Sequence, residues 1–150
     1  MSHRFTALFT HLIFSTKDRF PYLDKDLAPE CLAYIGGIVE HIGGRRIEIG
    51  GVEDHIHLVM DMPATIALSD FVRSIKSNSS KWVHEKWPNR SRFAWQQGYS
   101  AFSVSRSGVD RVASYIRNQE KHHRRQTYQD EVRSFLKRHG MTWDERYIWE

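Results

Sequence analysis

The sequence predicts an α+β domain in which helices pack on an antiparallel sheet. Segments rich in β-branched and aromatic residues alternate with segments whose apolar residues recur every three or four positions. Glycine pairs and prolines separate these segments. A length of 150 residues suits one compact core, and 40% hydrophobic residues excludes a wholly disordered chain.

The first half of the chain predicts two strands that flank a helix, followed by a third strand. Residues 5–15 are aromatic and β-branched, which indicates a largely buried strand. Apolar residues at helical spacing predict a helix over residues 26–42, ended by a glycine pair. Residues 45–50 and 52–60 predict a hairpin that turns at Gly50 and Gly51.

The second half predicts a helix, a strand and a further helix. An amphipathic pattern covers residues 65–86, and residues 93–105 indicate a strand interrupted at Gly98. Residues 108–123 predict the third helix, and a short helix near residues 130–138 follows it.

This order corresponds to a ferredoxin-like βαββαβ antiparallel sheet with an additional C-terminal helix that carries the candidate nucleophile described below. We expect one domain over residues 1–150, with a core in residues 1–125 and a polar tail in residues 126–150. One sheet face is left bare by the first two helices. The third helix, another subunit or a ligand must cover it.

Composition narrows the class of protein. The formal charge is +4, from 22 Lys+Arg and 18 Asp+Glu, which permits a polyanionic partner without requiring one. Cys31 is the single cysteine, so a disulfide framework and a multi-cysteine metal site are excluded. The sequence lacks an apolar run of about 20 residues and a signal-peptide pattern. We therefore expect an intracellular, cytoplasmic protein without a membrane partner.

Two histidines form the first chemical motif, His55-Ile56-His57. Residues two apart on a strand point to the same face, so both imidazoles emerge together on the face opposite the helix-backed core. Together they offer two nitrogen ligands for a cation. Two ligands alone do not make a metal site, and an ordinary polar strand face is an equally good interpretation of the motif by itself.

Tyr115 and Gln119 form the second motif, one helical turn apart on the third helix. A phenol can act as a nucleophile, and an amide oxygen can complete a metal shell. Taken alone, Tyr115 is better explained as an amphipathic boundary residue. Tyr99 is the rival nucleophile, and it ranks lower because no amide lies one turn away.

Together these motifs resemble the single-tyrosine HUH transposases of small bacterial insertion sequences, the IS200-like family that includes REP-associated tyrosine transposases. The resemblance covers nearly the whole chain. It is carried by five stretches: Ser15–Arg19, Gly51–Val59, Ser79–Trp82, Trp95–Val104 and Tyr115–His123. His-x-His alone is a weak signal, whereas the ordered set is specific.

The resemblance implies a transposase that cleaves and rejoins single-stranded DNA with hairpin ends. His55, His57 and Gln119 would hold a divalent metal, Mg²⁺ or Mn²⁺, and Tyr115 would form a 5′-phosphotyrosine intermediate that conserves the bond energy. Imidazoles suit zinc better than magnesium, so zinc is a candidate inhibitor. Family members are homodimers, and the sequence leaves open whether Tyr115 acts in cis or in trans.

DNA contact needs cations that neutralise phosphates. Taken singly, each basic residue is better explained as a solvated charge. The candidate contacts are Lys17, Arg19, Arg73, Lys76, Lys81, Arg92, Arg111 and Arg117.

Two other function classes stay open. A non-catalytic nucleic-acid-binding module can use this topology, although such modules carry aromatic residues where His55 and His57 stand. A histidine-dependent phosphoesterase would need no tyrosine. Among the other histidines, His11 is better explained as a satisfied core residue, and the adjacent His122 and His123 diverge on a helix and cannot chelate together.

Overall fold

A computed structural model describes residues 3–150 of the chain. The strands are β1 (Phe9–Ser15), β2 (Arg45–Val52), β3 (His55–Asp61) and β4 (Ser100–Ser103). The α-helices are α1 (Leu27–His41), α2 (Leu68–Lys86), α3 (Val109–Arg117), α4 (Gln119–His123) and α5 (Tyr128–Arg138). Within residues 3–150, none of the helices has both the length and the apolar character that a membrane span requires.

The strands form one antiparallel sheet in the order β2-β3-β1-β4. This is the strand order of a ferredoxin-like sheet, so the predicted fold class is confirmed. β3 is paired along its whole length with both β1 and β2, and His57 lies opposite Ile13 of β1 and Gly50 of β2. The backbone that carries the two histidines is therefore fixed on both sides.

The period-two alternation along β3 divides the sheet into two faces. Ile56, Leu58 and Met60 point into the main core against α1 and α2, and all three are fully buried. His55, His57 and Val59 point to the opposite face and are also fully buried. That second face is the one predicted to be bare.

The chain's own C-terminal half covers the second face. Ala113 and Ile116 of α3 pack on Val59. Val132 and Phe135 of α5 belong to an apolar cluster with Ile13 of β1, which also contains Tyr128, Leu136 and Phe102. The last residues return to the sheet edge, where the Glu150 carbonyl accepts a hydrogen bond from the Gly98 amide.

The predicted turn at Gly50 and Gly51 is wrong. Both glycines belong to β2, and the hairpin turns at Glu53 and Asp54. Gly50 has a different purpose, because a Cβ there would lie 2.7 Å from the carbonyl oxygen of Ile116. The missing side chain lets α3 approach the sheet.

Three predicted elements are shorter than expected. The strand predicted over residues 5–15 begins at Phe9, and Phe5 is 94% exposed. The helix predicted over residues 108–123 is interrupted at Asn118, whose φ and ψ are −101° and 22°. The strand predicted over residues 93–105 shortens to Ser100–Ser103, because the Lys76 ammonium binds the carbonyls of residues 96, 97 and 98.

Candidate active site

His55 and His57 form the sheet side of the site. They lie at the start of β3, their ring centroids are 5.3 Å apart, and both side chains are fully buried. Burying an imidazole is costly unless its nitrogens find partners, so the surrounding groups decide what these residues can do.

Each histidine has one nitrogen bound to a neighbour outside the site. His55 Nδ1 is 2.6 Å from Asp54 Oδ1, and His57 Nδ1 is 2.8 Å from Nε2 of His11. When Nδ1 donates to these acceptors, Nε2 of each ring keeps its lone pair and faces the interior of the site. His11, interpreted from sequence as a core residue, thus orients His57.

The Glu131 carboxylate of α5 lies at the centre of the site. Its Oε1 is 2.8 Å from His57 Nε2, 3.1 Å from His123 Nε2 and 3.3 Å from His55 Nε2. Glu131 is 1% exposed. His55, His57, His123 and Glu131 form a group whose donor atoms all lie within 4.8 Å of one another.

Tyr115 reaches the same carboxylate from α3. Its hydroxyl donates a hydrogen bond to Oε2 of Glu131, and its ring lies 5.8 Å from the His57 ring. His122 stacks on Tyr115 with ring centroids 4.5 Å apart and planes 21° apart. One chain therefore brings the predicted nucleophile to its own histidine pair.

Gln119 is linked to the histidine pair through His123. The break at Asn118 places it at the start of α4, where it is 1% exposed. Its Oε1 lies 3.1 Å from Nε2 of His123, and its amide nitrogen lies 3.5 Å from the Tyr115 carbonyl oxygen. The role of Gln119 as a metal ligand stays a prediction.

The site attracts positive charge. Burial lowers the pKa of His55, but the neighbouring carboxylates of Asp54 and Glu131 outweigh this effect and raise that pKa to about 9. Burial raises the pKa of Glu131, and the surrounding imidazoles of His123, His55 and His57 more than reverse this effect, so the carboxyl is ionised. Burial together with Glu131 raises the pKa of Tyr115, so its phenol is protonated.

These groups fit a divalent cation. Nε2 of His55 is buried without a hydrogen-bond partner and faces a carboxylate oxygen at 3.3 Å. Imidazole nitrogens together with a carboxylate are typical ligands of Mn²⁺, Co²⁺ and Zn²⁺, and less so of Mg²⁺.

The rival nucleophile Tyr99 and the aromatic residue Trp95 lie outside this site. Tyr99 lines a cavity of about 510 Å³ beside α2, together with Arg73 and Lys76. Trp95 is 8% exposed, packs edge-on against Phe14 and donates to Ser79, so it is a core residue. The structure brings Tyr115, and not Tyr99, to the histidines.

The predicted DNA contacts are dispersed. Arg19 lines a cavity of about 440 Å³ that opens beside Asp54 and His123. Arg73 pairs with Asp70, and Arg117 pairs with Glu48. The Lys76 ammonium is held by three backbone carbonyls, and the other four candidates are exposed side chains, namely Lys17, Lys81, Arg92 and Arg111. DNA contact by all eight stays a prediction.

Sequence reasoning missed three residues of the site. Asp54 directly precedes the histidine motif, and a carboxylate beside a candidate ligand was the available signal. His123 was set aside because its neighbour diverges from it, yet His122 and His123 serve different parts of the site. Glu131 lies 74 positions from His57, and the available signal was its place on the apolar stripe of α5.

Sequence comparisons find several relatives of this chain. The sequence profile of the family described as "Transposase IS200 like" matches residues 4–119. The transposase for insertion sequence element IS200 of Salmonella typhimurium is 25% identical over 114 residues, which is 73% of this chain and 74% of that protein. The ISDra2 transposase TnpA of Deinococcus radiodurans is also 25% identical over 114 residues, 73% of this chain and 81% of that protein.

Two solved structures share the fold. A Deinococcus radiodurans protein described as a transposase aligns with a TM-score of 0.65 at 22% identity, covering 79% of this chain and 95% of that one. A REP-associated tyrosine transposase bound to a REP hairpin aligns with a TM-score of 0.56 at 12% identity, covering 79% and 71%.

Proposed function

Since the chain belongs to the IS200-like transposase family, we propose that it cleaves and rejoins single-stranded DNA through a covalent bond to Tyr115. The observation that carries the proposal is the placement of the Tyr115 hydroxyl. It lies in the same buried site as His55 and His57 and shares the Glu131 carboxylate with His57.

Tyr115 supplies the nucleophilic oxygen. The hydrogen bond to Glu131 orients the phenol, and the tyrosine oxygen attacks the scissile phosphorus as the phenol proton passes to water. A bond forms between the tyrosine oxygen and phosphorus while the bond from phosphorus to the 3′ oxygen breaks. The 3′ oxygen takes up a proton from water and leaves as a hydroxyl, which balances the proton that the phenol released. Attack by a 3′ hydroxyl on the phosphotyrosine reverses the step, and rejoining needs no external energy source.

His55, His57 and Gln119 are the residues that we propose to hold Mg²⁺ or Mn²⁺. A divalent cation there would offset the negative charge that develops on the phosphate oxygens. Asp54 and His11 hold the two imidazoles in orientation from behind. Arg19, Arg124 and Arg125 line the cavity beside the site and provide positive charge for a DNA backbone.

The proposed substrate is a single strand with hairpin ends. The related tyrosine transposase was solved with a REP hairpin, which supports this class of substrate. The arrangement seen here lets Tyr115 act in cis, and the homodimer implied by the family resemblance remains a prediction.

The test is adduct formation with hairpin-ended single strands from the flanks of the native locus, in the presence of Mn²⁺. We expect the wild-type chain to give a denaturation-resistant protein–DNA band and Tyr115→Phe to give none while still binding the DNA. Tyr99→Phe is the matched control and should retain the band, because Tyr99 lies at the cavity beside α2.

An adduct formed by Tyr115→Phe would refute the assignment of the nucleophile. Strand cleavage that survives Tyr115→Phe without an adduct would instead favour the histidine-dependent phosphoesterase.

A further inference from the structure

The helix α5 begins beyond the segment that the family profile matches, which ends at residue 119. It is nonetheless firmly placed. The Thr127 hydroxyl caps its first turn by accepting a hydrogen bond from the Asp130 amide, and Val132, Phe135 and Leu136 anchor it on the sheet. The same buried face carries Glu131, whose carboxylate would be costly there without polar partners.

We propose that Glu131 is a ligand of the metal through Oε1 and a positioning residue for Tyr115 through Oε2. This inference rests on the proposed function and deepens it, because it makes the C-terminal helix part of the active centre. It also adds an acidic ligand to the set of His55, His57 and Gln119.

The distances within the site support a shared ion. Two ligands bound to one cation at about 2.0–2.2 Å lie about 2.8–3.5 Å apart in octahedral or tetrahedral geometry. Oε1 of Glu131 lies 2.8 Å from His57 Nε2 and 3.3 Å from His55 Nε2, within that range. Both nitrogens are the ring atoms that Asp54 and His11 leave free.

The second carboxylate oxygen links the metal to the nucleophile. Oε2 of Glu131 accepts the hydrogen bond from the Tyr115 hydroxyl. A carboxylate that binds the cation with one oxygen and the phenol with the other fixes the separation between them. Such alignment of reacting groups is worth a large share of a catalytic rate.

The donor set also predicts a preference among metals. Two histidines and one carboxylate on one side of an ion leave open positions for phosphate oxygens and water. Because imidazole nitrogen is a softer ligand than oxygen, we expect Mn²⁺ to bind more tightly than Mg²⁺.

The test is calorimetric titration of the full chain with MnCl₂ in the absence of DNA. We expect Glu131→Gln, which keeps the size of the side chain and removes its charge, to weaken Mn²⁺ binding by at least about tenfold, the lower bound for losing even a supporting partner. Asp130→Asn is the matched control, since this neighbour is an exposed carboxylate on the same helix and should leave the affinity unchanged.

An unchanged Mn²⁺ affinity in Glu131→Gln would overturn the proposal. A higher affinity would also overturn it, because Glu131 would then compete with the metal for the histidines. If the variant does not fold, crystals of the wild-type chain soaked in MnCl₂ decide the question. An anomalous peak bonded to Oε1 of Glu131 supports the proposal, and a peak on the histidines with Glu131 turned away refutes it.

The adduct assay separates this inference from the proposed function. If the wild-type chain forms no adduct but Glu131→Gln loses Mn²⁺ affinity, Glu131 is a metal ligand and the strand-transfer proposal fails. If the adduct forms and the Mn²⁺ affinity of the variant is unchanged, the strand-transfer proposal stands and Glu131 is not a metal ligand.

Discussion

The two halves of the site are built in different ways. The sheet half presents His55 and His57 from a central strand that is hydrogen-bonded on both sides. The helical half presents Tyr115 and Glu131 from α3 and α5, which pack on the sheet through small apolar clusters. The histidines are thus fixed by the hydrogen-bonded strands, whereas the positions of Tyr115 and Glu131 depend on how the helices pack on the sheet.

This contrast shows which half of the site is rigid and which half can adjust. The proposed function requires a DNA strand to pass close to Tyr115, and the helices are the part of the site with fewer buried apolar partners. Regions with few buried contacts open at lower free energy than central strands. The sheet side is therefore suited to hold an ion, and the helical side to accommodate a substrate.

A matched pair of leucine substitutions tests the contrast most strongly. Leu58 of β3 is fully buried in the main core, and Leu136 of α5 is 8% exposed in the smaller cluster. We expect Leu58→Ala to lower the free energy of unfolding by about 3–5 kcal/mol and Leu136→Ala by about 2 kcal/mol. Urea denaturation followed by circular dichroism measures both values.

The control for this pair is Leu8→Ala, at a residue 45% exposed outside β1, where we expect a change below about 0.5 kcal/mol. Equal losses from Leu58→Ala and Leu136→Ala would contradict the contrast. They would mean that α5 is as integral to the core as the central strand.

The same division separates what the sequence could predict from what it could not. The side-by-side placement of His55 and His57 follows from the period of a strand, which is a local property. Tyr115 and Gln119 followed from helical spacing together with the family resemblance, although the interruption at Asn118 puts them on two helices. The turn at Glu53 and Asp54 was missed because the preceding glycines serve packing and not turning.

Glu131 could not be predicted because its role depends on tertiary docking. Its place on the apolar stripe of α5, between Tyr128 and Phe135, indicates from the sequence that the carboxylate points inward. Its partners come from β3, α3 and α4, and only the packing of α5 on the sheet shows which groups it meets. The exclusion of His123 failed for a related reason, since the spacing of two histidines says nothing of a third group that one of them meets.

Asp54 offers a test on the sheet side of the comparison. Its carboxylate binds Nδ1 of His55 at 2.6 Å, so it fixes which ring nitrogen faces the proposed metal position and strengthens that nitrogen as a ligand. We expect Asp54→Asn to weaken Mn²⁺ binding by about 10–100-fold in calorimetry.

Glu53→Gln is the control, because it removes a charge from the adjacent turn residue without touching His55. If Glu53→Gln and Asp54→Asn weaken binding equally, general electrostatic attraction explains the effect. The specific orientation of His55 by Asp54 would then be refuted.

The smallest expected effect concerns the ion pair that joins the two halves at the surface. Nε of Arg117 in α3 donates to Glu48 of β2 at 2.8 Å, and the Arg117 side chain is 58% exposed. An exposed pair contributes about 0–1 kcal/mol, and salt screens it. We expect Arg117→Gln to lower the free energy of unfolding by less than about 1 kcal/mol, and this difference should vanish near about 0.5 M NaCl.

Arg117 is also a predicted DNA contact, and Glu48→Gln separates its two roles. If Arg117 binds a phosphate, Arg117→Gln weakens binding of single-stranded DNA and reduces the slope of log K against log salt by about 1. Glu48→Gln breaks the same ion pair but leaves the cation free, so DNA binding should stay unchanged or tighten. Equal weakening by both variants would show that the ion pair positions α3 and that Arg117 does not contact the DNA.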